Sequence, residues 1–248
     1  MIKAVIFDLD GTLIDTNDLI LDTFQHVIKE CLGRVPTEEE LHHVYGKTLD
    51  EQMAFFSVER SQELVASYKA YYRTHMDERT HLFDGVKSLL DELFSKGIQM
   101  AAVTNKGSRG VHHAFDKFDI GKFFSAAITA DDVVKGKPDP EGILAALNHL
   151  GVTAEEALFV GDSHSDILAA KNASVKSVLV GWTFFHEDHY ATFEADFVIE
   201  KPLDLMDLIT MSEEQFNVEI EKGLNDLANG KVVSAERVAK RMKRDYGV

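Results

Sequence analysis

The sequence predicts an α/β protein built on a parallel sheet. Six short apolar segments read as strands, at residues 4–7, 98–103, 126–129, 157–160, 177–180 and 197–199. They are mostly continuous apolar runs without polar alternation, as expected of strands buried on both faces. Helical stretches such as residues 85–95 and 141–149 separate them, and strand alternating with helix is the signature of a parallel sheet.

Taken in order, residues 4–7 (Ala-Val-Ile-Phe) form the opening strand. The interval before the second strand is too long for one crossover helix. Within it Ile20, Phe24, Val27, Ile28 and Cys31 follow helical spacing, Thr37 with Glu40 and Thr48 with Glu51 each fit a capping box, and residues 64–72 continue as helix. The expected organisation is a Rossmann-like α/β core from residues 1–15 and 81–210, an inserted α-helical cap at 16–80, and a helical C-terminal extension at 211–248. In that extension Phe216, Ile220, Leu224 and Leu227 share a helical face, Asn229-Gly230 marks a turn, and Ser234 can cap a last helix. The extension's apolar stripe could pack on the body or join two copies of the chain.

Composition narrows the partners. The 248 residues are 45% hydrophobic, enough for a substantial core. The single cysteine, Cys31, cannot form an intramolecular disulfide, and neither a signal peptide nor an apolar run near 18 residues is evident, so a cytoplasmic protein without membrane contact is expected. With 42 acidic against 26 basic residues the net charge is −16, which repels polyanions and argues against nucleic acid. The tail does not contribute to it, since seven acids and seven bases cancel within 212–248.

The chemistry is carried by polar residues that follow the apolar runs, because ligands of open parallel sheets bind beyond the carboxyl ends of the strands. Asp8, Asp10, Gly11 and Thr12 follow the first, Thr104, Asn105 and Lys106 the second, and Lys137 precedes a proline in a loop. Asp162 and Asp166 stand at a predicted helix start, on one face. Asp8 and Asp10, two apart at the end of the first strand, are expected to point to one side about 6–7 Å apart and repel each other. Carboxylates without clustered histidine or thiolate suit a hard cation, and Mg²⁺ with substrate phosphate is the natural choice. One aspartate can then attack phosphorus while another moves protons.

The stretch DLDGT at residues 8–12, with Thr104, Lys137 and GDSHSD at 161–166, resembles the haloacid dehalogenase superfamily of phosphohydrolases, whose four motifs it contains in order. The position of the helical insert resembles phosphoglycolate phosphatases. The segments GTLIDTNDLI and GWTFFHEDHYATFEADFVIEK look closer still to the bacterial inorganic pyrophosphatase branch. The resemblance implies Mg²⁺-dependent hydrolysis of a small phosphorylated substrate through an aspartyl-phosphate. It assigns Asp8 as nucleophile and metal ligand, Asp10 as acid/base and metal ligand through its backbone carbonyl, Thr104 and Lys137 as phosphoryl ligands, and Asp162 as direct metal ligand. Asp166 supports, through water or through Lys137, and Gly11 and Asn105 fall in the substrate pocket. Lys47, after Gly46 in a loop between two cap helices, resembles the family's specificity loop and would meet a second anionic group; the alternative is a solvated lysine. Asp84 departs from the proline often found there, and residues 212–248 exceed the usual length.

Other features have readings on both sides. His186 and His189 could bind metal or be solvated, and His164 would reach the pocket rim. Trp182, Phe184 and Phe185 could line a substrate mouth or pack on the sheet, and the basic run 237–244 suits a solvated face. Alternatives to the phosphatase are a sugar phosphomutase with the same acids, and a non-catalytic binding module on a phosphatase fold.

Overall fold

The computed structural model describes residues 1–182 and 191–210. Six parallel strands form one sheet: β1 (Ala4–Phe7), β4 (Gln99–Val103), β5 (Ala126–Ile128), β6 (Ala157–Gly161), β7 (Lys176–Val180) and β8 (Phe197–Ile199), in the spatial order β5-β4-β1-β6-β7-β8. Each expected strand is present, with ends moved by no more than a residue. β1 is wholly buried, between β4 (Ile6 beside Ala101) and β6 (Ile6 beside Phe159). Since the chain goes from β1 to one side of the sheet and later to the other, the switch point, where crevices open, lies at the carboxyl end of β1. Helices α5 (Val86–Ser95), α6 (Ser108–Phe118), α7 (Glu141–Leu150), α8 (His164–Asn172) and α9 (Leu205–Thr210) complete this part. Apolar clusters lie on both sheet faces, one around Val5, Phe7, Leu90 and Met100, the other around Ile6, Ala101, Ile143 and Phe159.

Between β1 and β4 the chain forms α1 (Asn17–Leu32), α2 (Glu38–Val44), α3 (Leu49–Phe56) and α4 (Ser61–Arg79). Both expected capping boxes form: Thr37 and Glu40 open α2, and Thr48 and Glu51 open α3. These helices have their own apolar cluster, including Phe24, Ile28, Met53 and Leu64. A two-residue antiparallel ladder, β2 (Ile14–Asp15) with β3 (His81–Leu82), pairs the segment where the chain leaves the sheet with the one where it returns. This ladder is too short to leave a periodic signal, and the sequence reading did not contain it. Phe184, Phe185, His186, His189 and the whole predicted extension lie outside the described residues. Among the described residues no helix is long and apolar enough to cross a membrane.

Candidate active site

β1 ends at Phe7, so Asp8 and Asp10 stand in the turn beyond it rather than on a common strand face. The turn is tight: the Leu9 carbonyl accepts from the amides of Thr12, Leu13 and Ile14, and the Gly11 amide donates to the Ile14 carbonyl at 2.9 Å. Gly11 has φ +79°, and a Cβ there would collide with Asp162 Oδ2. Glycine therefore both makes the turn and clears the space for Asp162, a role in shaping the pocket.

Three carboxylates, Asp8, Asp162 and Asp166, offer oxygens within 4.8 Å of one another, all buried. The buried Lys137 ammonium sits against them, 2.7 Å from Asp8 Oδ1 and donating to Asp166 Oδ1 at 2.6 Å. Asp166 Oδ2 accepts from the amides of Asp162 and Ser163 and from the Ser163 hydroxyl, at 3.2, 2.9 and 2.7 Å. Asp166 thereby caps α8 and anchors Lys137, and both its oxygens are engaged. One lysine cannot balance three buried carboxylates. Burial, and after it the carboxylate neighbours, outweigh Lys137 and push the Asp8 carboxyl up to about 6; the same causes raise Asp162 well above the ordinary range. A buried, oxygen-only set with surplus negative charge fits a hard divalent cation between Asp8 and Asp162.

Thr104 is buried at the end of β4, and its hydroxyl accepts from the Lys106 amide at 3.2 Å. The Asn105 side chain turns to the protein: its amide nitrogen donates to the carbonyls of Gly46 at 2.9 Å and Lys137 at 3.0 Å, and its oxygen accepts from the Lys137 amide at 2.8 Å. It ties the Lys137 loop to the loop between α2 and α3. Asp10 does not join the acidic cluster through its carboxylate. Instead Lys106 Nζ donates to both its oxygens, at 2.9 and 2.7 Å, a partner the sequence reading missed.

Asp8, Asp10, Thr104, Asn105, Lys106, Lys137 and Asp162 form the floor of a cavity of about 680 Å³ between the sheet and α1–α4, and Asp166 is buried off its lining. Lys47, Lys69, Arg73 and Arg109 line it too, and among the described residues none of the four is paired with a carboxylate; Lys47 Nζ lies 3.1 Å from His43 Nε2. Two acids on the same wall are already engaged, Asp77 with His113 at 2.7 Å and Asp131 with the Ser108 amide and hydroxyl at 2.7 Å. A strongly acidic chain thus presents a basic wall opposite its acidic floor, an arrangement that recruits an anion.

One rim expectation, for His164, is corrected, and for Trp182 the packing alternative is the one found. His164, the first residue of α8, is exposed and meets Phe193 edge-on, because the same helical turn that points Asp166 inward carries it outward. Trp182 packs against the main apolar cluster, 6.0 Å from Phe83, and its indole nitrogen donates to the Thr12 carbonyl at 3.0 Å, so it supports the turn.

Residues 5–180 match the family model described as haloacid dehalogenase-like hydrolase. The chain is 41% identical over 209 residues to the "putative pyrophosphatase PpaX" of Clostridium perfringens, covering 84% of this chain and 98% of that one. It is 37% identical over 208 residues to pyrophosphatase PpaX of Anoxybacillus flavithermus, covering 84% and 97%. Among solved structures, a "putative phosphoglycolate phosphatase" of Lactobacillus plantarum superposes with a TM-score of 0.74 at 26% identity, over 84% of this chain and 99% of that one.

Proposed function

This chain belongs to the haloacid dehalogenase-like hydrolase family and is a phosphatase of it, and on that premise we propose that it hydrolyses a small, doubly anionic phosphate compound, pyrophosphate first and phosphoglycolate second. The observation that carries the reading is the acidic floor of Asp8 and Asp162 beside Lys137, with Asp166 buried against that lysine, facing the basic wall across one cavity. Asp8 attacks phosphorus, the bond to the leaving group breaks, and Asp10 supplies the proton that the leaving oxygen takes. Asp10 then accepts a proton from water as that water attacks the aspartyl-phosphate, releasing phosphate and restoring Asp8. Lys137 and the Thr104 hydroxyl hold phosphoryl oxygens, and Asp166 keeps Lys137 in place. Asp8, Asp162 and the Asp10 carbonyl would hold Mg²⁺, which supplies positive charge to the transferring phosphoryl group when bound.

We read α1–α4 as a lid, with residues 16–80 as the inserted cap, whose wall of Lys47, Lys69 and Arg73 receives the second anionic group. We rank pyrophosphate ahead of phosphoglycolate because the relatives named as pyrophosphatases support that reading. The direct test is a comparison of kcat/KM for pyrophosphate, phosphoglycolate, other phosphate esters and p-nitrophenyl phosphate, with and without Mg²⁺. A preference for pyrophosphate that disappears with EDTA is expected; no turnover of any compound with Mg²⁺ present would favour a binding module. Nothing in the described residues or the comparisons supports a subunit contact through the extension, and none is proposed.

A further inference from the structure

Lys106 has no role in the scheme above, yet like Lys137 it is a tightly held cation on the cavity floor. Its side chain is 17% exposed, beside an Asp10 side chain that is 21% exposed. Its ammonium has three donors, and three acceptor oxygens take them: both Asp10 oxygens and the Tyr72 hydroxyl, the last at 3.1 Å. The Tyr72 ring also stands 4.9 Å from the ammonium and stacks on Tyr68 of the helical cluster. The three residues come from three places, the turn after β1, the start of the loop after β4, and α4. The path of the lysine stem is also prepared: a Cβ on Gly110, within α6, would come 2.9 Å from Lys106 Cε and 3.1 Å from its Cγ.

We infer that Lys106 is a positioning residue for Asp10 and that Tyr72 is the helical layer's hold on that lysine, so that seating α4 and fixing the acid/base carboxylate are one event. This rests on the proposed role of Asp10. In the step where Asp10 accepts the proton of water it is an ionised carboxylate, which on a turn can rotate about χ1 and χ2, and clamping both oxygens on one ammonium restricts that rotation. The clamp needs a fixed ammonium. Asp10 alone leaves one donor of Lys106 unspent, and the Tyr72 hydroxyl satisfies it only while α4 lies over the floor. If Lys106 instead bound substrate directly, its donors would have to leave Asp10, and its loss would appear in KM.

The test is a double-mutant cycle on the full chain with Mg²⁺ and pyrophosphate. Lys106→Gln is expected to lower kcat at least about 10-fold with KM changed less than about threefold, and to cost almost nothing further in an Asp10→Asn background. Tyr72→Phe keeps the ring, should lower kcat by a smaller factor, and should add nothing to Lys106→Gln. Gly110→Ala provides an independent route: alanine suits the helix better than glycine, so thermal stability should hold or rise while kcat falls, because the lysine stem must move. A rise in KM at constant kcat, or effects of Lys106→Gln and Asp10→Asn that multiply, overturns the inference alone. Asp10→Asn at the wild-type rate overturns the acid/base reading and this inference with it. Should Lys106→Gln not fold, unchanged kcat in both Tyr72→Phe and Gly110→Ala overturns it.

Discussion

Gly46 is seated directly on Ser163: a Cβ placed on Gly46 would lie 2.6 Å from the Ser163 hydroxyl. The contact joins the loop between α2 and α3 to the loop that carries Asp162, and Gly46 also has φ +77°. Gly46→Ala should therefore hold the helical layer off the floor as well as strain the backbone. We expect kcat/KM for pyrophosphate to fall at least about 10-fold, since a displacement near 1 Å can cost that much. Wild-type kcat/KM in a folded variant would show that this contact is not part of the working state.

The two aspartates should separate by role. Asp8→Asn should abolish turnover, because an amide cannot attack phosphorus, and Asp10→Asn should lose at least about 100-fold by removing acid/base help. Steady-state kinetics decide it, and an Asp8→Asn enzyme near the wild-type rate would sink the mechanism.

Much of this arrangement is legible in the sequence, for stated physical reasons. The strands are uniform apolar runs because both sheet faces are covered, and the capping boxes at Thr37 and Thr48 depend only on residues three apart. Asp8 and Asp162 are recognisable because each comes at the end of such a run, and Lys137 because it precedes a proline in a short loop. Lys106 was visible as a residue but not as a partner, since its acceptors lie 96 and 34 positions away in sequence. Nothing local in the sequence reveals that the Gly46 and Lys137 backbones use the Asn105 amide. An apolar run does not mark its own end, so the sequence alone puts Asp8 and Asp10 on one strand face although β1 ends at Phe7. Here Gly11 and the three amides on the Leu9 carbonyl turn the chain at once.

Metal binding should depend on pH in a fixed direction. In the metal-free fold the Asp8 carboxyl is raised from 3.8 to about 6, by burial first. A carboxyl whose folded value lies above its unfolded value costs stability when ionised, a cost absent below the unfolded value and complete above about 6. Mg²⁺ offsets this charge and must displace the proton to bind, so its affinity should weaken as pH falls through about 6. The rise in melting temperature given by a fixed Mg²⁺ concentration should thus be larger at pH about 7.5 than at about 5. Equal rises at the two values would exclude Asp8 as a metal ligand.

The basic wall gives the sharpest test of substrate class. Lys47, Lys69, Arg73 and Arg109 line the cavity without a carboxylate partner among the described residues, so removing one leaves no buried acid uncompensated and should do little to the fold. Lys69 and Arg73 are four apart on α4 and share a face, whereas Lys47 belongs to a different loop, so the two sites can be varied independently. Lys47→Ala and Arg73→Ala should each raise KM for pyrophosphate by about 10-fold or more, the loss of about 1.4 kcal/mol of charge-assisted binding. For p-nitrophenyl phosphate, whose second end is an uncharged ring, the same variants should change KM less than about threefold. The Asp8 and Lys137 chemistry is common to both compounds, so kcat for the aryl ester should stay near wild type. An equal rise in KM for the two substrates would place both cations on the scissile phosphoryl group or on the lid's seating, and would remove them from the recognition of a second anion.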